Sequence, residues 1–69
     1  MPDYGHTEKT ALYAEILDRC HPDYRRTEVI WMARNLQRET VLKAVKRFAK
    51  HNPTEGPALM EFAETMVGR

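Results

Sequence analysis

Only one cysteine, Cys20, occurs in the chain, so it cannot form a disulfide within itself. Cys20 falls beside large apolar residues in a helical pattern, where a small buried hydrophobe is the expected role. A structural metal is not expected either. His6, His21 and His51 are far apart with no second cysteine to join them, and adjacent Cys20 and His21 are poorly spaced as two ligands from one helix face. Glycine is scarce at three residues, and none is grouped into a phosphate-cradling loop. No Ser-His-Asp set is identifiable by spacing, and a chain of 69 residues leaves little volume for a water-excluding pocket. Catalysis is therefore not expected, and Glu8, Glu15, Glu61 and Glu64 are read as surface charge. No cofactor is implied.

Long apolar runs are also missing. No stretch approaches the ~20 apolar residues that a membrane span needs. The opening MPDYGHTEKT is polar and carries no secretory core, so a cytoplasmic location is expected.

What is present is a helical pattern in one domain. A chain this short buries only ~60% of the surface that its unfolded form exposes, which makes a lone core marginal. With disulfides and metals set aside, a second copy of the chain is the natural source of extra burial. Proline and glycine mark the joints: Pro2 and Gly5, Pro22, then Pro53, Gly56 and Pro57. Between them lie three helical patterns and no strand alternation, which predicts an all-α chain of three helices at about 7–20, 25–51 and 55–67.

In the first helix Leu12, Tyr13, Ile16, Leu17 and Cys20 share a stripe, with Thr7 as N-cap and Pro22 as terminator. In the third, Leu59, Phe62, Ala63, Met66 and Val67 form the apolar stripe, and Thr54 is the expected N-cap ahead of Pro57.

The middle segment carries two stripes. Val29, Met32, Ala33 and Leu36 lie on one side of a helical wheel, and Val41, Leu42, Val45, Phe48 and Ala49 on another. A turn near 37–40 would reset the phase in this way, and so would one helix that uses two faces. Gln37, Arg38 and Glu39 are good helix formers, and no Gly or Pro lies between 28 and 51. One long central helix is the expectation, started by Asp23 or Thr27 and ended by Pro53. Its surplus apolar face, with the run Val29-Ile30-Trp31-Met32, points to a symmetric helical homodimer.

Charge is segregated although the net is +1. Residues 1–24 hold five acids and two bases (−3), residues 25–51 eight bases and two acids (+6), and residues 52–69 three acids and one base (−2). Either the outer segments neutralise the middle one, or the middle one faces an anionic partner.

Ala33-Arg34-Asn35-Leu36, followed by Arg38-Glu39-Thr40-Val41 and Lys43 to Phe48, resembles the helix-turn-helix of bacterial regulators. That family normally has a Gly and two further residues before its second helix, where this chain has only Gln37. The resemblance implies DNA binding through residues 31–51, with Lys43, Lys46, Arg47 and Lys50 as a candidate basic patch for phosphates. In size and style the chain also resembles the small helical proteins that phages and mobile elements encode, which implies an inhibitor or adaptor acting on another protein. On that reading, which is the preferred one, Tyr13, Trp31, Met32, Arg34 and Arg38 are the candidate interface, tryptophan being enriched at interface centres. A protein target is favoured, nucleic acid is the alternative partner, and no membrane is involved.

Overall fold

The computed structural model describes residues 4–68, with side chains from Lys9 onward. Among them the chain is all-α: α1 (Tyr4–Arg19), α2 (Pro22–Asn35), α3 (Arg38–His51) and α4 (Gly56–Val67), with no strand. The expected three-helix plan needs one correction of consequence, at the centre of the chain.

Residues 25–51 are not one helix. Leu36 (φ −118°, ψ 162°) ends α2 and Gln37 (φ −66°, ψ 146°) precedes α3, both in extended geometry. Two consecutive extended residues turn the chain while keeping φ negative, so no left-handed glycine is needed and helix-forming side chains are tolerated. The ends on either side are tied off. Leu36 N–H donates to the Met32 carbonyl at 2.8 Å, Asn35 Nδ2 donates back to the Trp31 carbonyl at 2.8 Å, and Val41 N–H opens α3 by donating to Gln37 at 3.1 Å. Glu39 lies in the first turn of α3, where a carboxylate suits the positive end of the helix dipole.

The break explains the two stripes. Val29 and Met32 from α2, and Val41, Ala44, Val45 and Phe48 from α3, are all buried in a single cluster with Leu17, Leu59 and Ala63. The phase jump is thus the mark of a turn that brings both stripes to one core, and a second chain is not required to cover either. Helix α3 lies between α1 and α4, and α2 packs chiefly on α4.

Other helix ends also depart from expectation. Helix α1 begins at Tyr4, so Thr7 lies inside it and does not cap it. Pro22 opens α2 as well as following α1. His21 is the N-cap, its Nδ1 accepting from Asp23 N–H at 3.2 Å, and proline in the first turn has no N–H to leave unpaired. Thr54 does not cap α4, because the chain continues from α3 through a helical turn in which Gly56 N–H donates to the Asn52 carbonyl at 2.7 Å. Glu55 takes the N-cap position without a side-chain cap bond.

Gly56 is where α3 and α4 touch. A Cβ there would fall on the Ala49 backbone and within 2.5 Å of Ala49 Cβ, so the close approach admits only hydrogen. At the other end of α4, Gly68 adopts φ 79° and its N–H closes the helix on the Glu64 and Thr65 carbonyls.

Not every expected stripe residue is inside. Leu12 is 52% exposed and Met66 39%, and Cys20 is only half-buried. Leu17 of that stripe is fully buried, and Ala14, which lies outside it, is buried beside it on α1.

Candidate functional site

One basic residue of the middle segment is internal. The Arg25 side chain, 10% exposed, donates from Nε to the Leu17 carbonyl at 2.8 Å and from Nη2 to the Asp18 carbonyl at 3.2 Å. These are last-turn carbonyls of α1 with no helical partner of their own, so the guanidinium completes that helix end. Nη1 pairs with Glu55 Oε2 at 2.8 Å, and the guanidinium lies 4.8 Å from the Phe48 ring centre. A single side chain on α2 therefore touches α1, α3 and the start of α4. Asn52 supports the same corner, donating from Nδ2 to Asp18 Oδ1 at 3.0 Å and to the Phe48 carbonyl at 3.1 Å.

In the sequence Arg25 is one of eight bases in residues 25–51, and charge alone does not set it apart. Its spacing carried one usable signal: it falls one turn before Val29 and two before Met32, on the apolar side of α2.

The remaining bases are largely unpaired. Among the described residues, Arg25–Glu55 is the one ion pair between helices. Arg19–Glu15 (2.9 Å) and Lys43–Glu39 (3.6 Å) are exposed i,i+4 pairs, and His21–Asp23 is a contact within one turn. Of the described acids in the outer segments, Glu55 alone thus pairs with a base of the middle segment, Arg25. Arg26 lies 5.3 Å from the Phe62 ring centre, while Arg34 and Arg38 are exposed.

The predicted interface residues separate. Trp31 on α2 is 47% exposed, and its ring lies 6.1 Å from that of half-buried Tyr13 on α1. Arg34 follows one turn later on α2, and Arg38 opens α3. Met32 does not belong with them: it is fully buried in the core, because the break at 36–37 folds its side of α2 inward.

The predicted basic patch stays together. Lys43, Lys46, Arg47 and Lys50 are exposed along α3, and with Thr10 and Ala49 they line an open groove of about 590 Å³. Two smaller grooves have mixed charge. One, of about 320 Å³, has Glu15, Asp18, Arg47 and His51 on its walls, and the other, of about 240 Å³, has Arg25, Arg26 and Glu55. Among the described residues, no cluster of three or more His, Cys, Asp or Glu is placed to hold a metal ion. In the same range no helix is long and apolar enough to cross a membrane.

No protein-family model, curated protein or solved structure matches this chain. The functional reading therefore rests on the two surfaces that the helix break leaves outside: the Tyr13–Trp31 face and the basic groove of α3.

Proposed function

We propose that this chain is a small non-enzymatic regulatory protein that docks on another protein through the Tyr13–Trp31 face, in the manner of the inhibitors and adaptors that phages and mobile elements encode. The observation that carries the reading is Trp31. Its ring lies against Tyr13 yet remains 47% exposed, so a large apolar surface is held in place before any partner arrives. An ordered aromatic of this kind loses little further freedom on binding, which is one reason tryptophan dominates interface energetics. Exposed Arg34 and Arg38 add positive charge along the chain from Trp31. The chemistry that fits is an acidic protein surface with an apolar pocket for the indole.

The same face serves a two-fold dimer if the pocket belongs to a second copy. The argument for a dimer from an uncovered stripe no longer applies, since α2 and α3 share one core.

Two measurements test the reading. Capture from nuclease-treated lysate identifies partners, and Trp31→Ala is then titrated against the purified partner by interferometry. A loss of at least about 30-fold is expected, the scale of an interface hot spot. Unchanged affinity would remove Trp31 as the anchor. Sedimentation equilibrium over a range of concentrations, with the parent and with Trp31→Ala, separates self-association from binding to a different protein.

A further inference from the structure

The groove of α3 differs from the other two in the sign of its charge. Among the described residues its lining is Thr10, Lys43, Lys46, Arg47, Ala49 and Lys50, with four cations and no carboxylate. The Lys43 ammonium lies 3.6 Å from Glu39, while Lys46, Arg47 and Lys50 have no ion pair among the described residues. At about 1.5 Å rise per residue, Lys43 to Lys50 spans roughly 10 Å along the helix. A nucleic-acid strand presents one phosphate per ~3.4 Å of axis, so that span covers about three intervals, or four successive phosphates.

The position of α3 decides what such a surface reads. A helix that reads bases protrudes far enough to enter a major groove. Helix α3 is packed on both flanks, by α1 and by α4, and its outer strip borders an open, shallow groove beside Thr10 of α1. Phosphates can reach this strip, and α3 carries no Asn or Gln that could pair with an adenine edge. This separates the chain from the helix-turn-helix regulators that residues 31–51 resemble, although the two helices and the turn between them are present.

We propose that the α3 groove binds the phosphodiester backbone of a nucleic-acid duplex, without reading its sequence, through Lys43, Lys46, Arg47 and Lys50. The proposal is independent of the Tyr13–Trp31 face. Neither residue lines the groove.

The test is fluorescence anisotropy with a labelled 20-bp DNA duplex between 25 and 200 mM salt. Neutralising about four phosphates predicts a slope of log K on log salt between about −3 and −4. The variant Lys43→Gln/Lys46→Gln/Arg47→Gln/Lys50→Gln should melt like the parent, because all four side chains are exposed, and should lose at least 30-fold in affinity at 50 mM salt. A second duplex of unrelated sequence should bind within about twofold, and Trp31→Ala should bind like the parent. Three results would overturn the proposal: no duplex binding at 25 mM salt, parent-like affinity in the folded quadruple variant, or a tenfold preference between the two sequences. Tighter binding of single-stranded RNA of equal length would overturn the assignment to a duplex.

Discussion

Replacing Arg25 by methionine tests how the four helices are held together. Methionine keeps most of the aliphatic volume and can still rest on Phe48, but it removes every donor. The bond to the Leu17 carbonyl is short and buried, and a hydrogen bond from a charged group is worth about 1.5–3 kcal/mol. The bond to Asp18 is longer and only partly buried, so it contributes less. The Glu55 side chain is 51% exposed, which limits its share to about 1 kcal/mol or below. The expected loss is about 3 kcal/mol, dominated by the carbonyls left unpaired at the end of α1. A domain of this size has a total stability of about 3–10 kcal/mol, so the loss amounts to between about a third and the whole of it. Thermal melts followed by circular dichroism should show a drop of about 12–24 °C. Glu55→Gln is the comparison, expected to cost about 1 kcal/mol at most. If Arg25→Met melted within a few degrees of the parent, or if Glu55→Gln cost as much as Arg25→Met, the assignment of Arg25 to the α1 carbonyls would be wrong.

Two further substitutions test the packing. Met32→Ala should cost about 2–5 kcal/mol in urea melts, as for a fully buried side chain, whereas Trp31→Ala next to it should cost about 1 kcal/mol, the scale of an aromatic pair. Similar losses for the two would mean that α2 faces the core differently. Gly56→Ala should cost about 1–3 kcal/mol from overpacking against Ala49, with partial recovery on adding Ala49→Gly. A stabilised Gly56→Ala would show that helix propensity outweighs the close contact there.

Much of this architecture is legible in the residue pattern. The all-α class follows from apolar spacing, and the buried members of both middle stripes, from Val29 to Phe48, are the ones that periodicity picks out. The link between the stripes is where propensity misleads. Gln37 favours a helix locally, but burying Val29 and Met32 together with Val41 and Val45 requires a turn, and tertiary packing outweighs a few tenths of a kcal/mol of preference. The missing glycine was a poor guide because the corner is made from extended residues at negative φ. Arg25 was hidden for a different reason. Composition counts an arginine as surface charge, and its burial depends on α1 carbonyls that come near it only once the chain has folded. Of the candidate interface, Trp31 and Tyr13 stay at the surface and Met32 does not, a distinction set by which side of α2 the break turns inward.

The break between α2 and α3 underlies the single core, the exposed Trp31 and the outward strip of bases on α3. Gln37→Pro tests it most directly, because the two possible backbones predict effects of opposite sign. Gln37 has φ −66°, the value proline imposes, and Leu36 before it is already in the extended geometry that proline requires of its predecessor. If the break is as described, urea melts should show stability unchanged or raised by about 0.4–1 kcal/mol. A loss of about 3 kcal/mol or more, the effect of proline inside an unbroken helix, would contradict it.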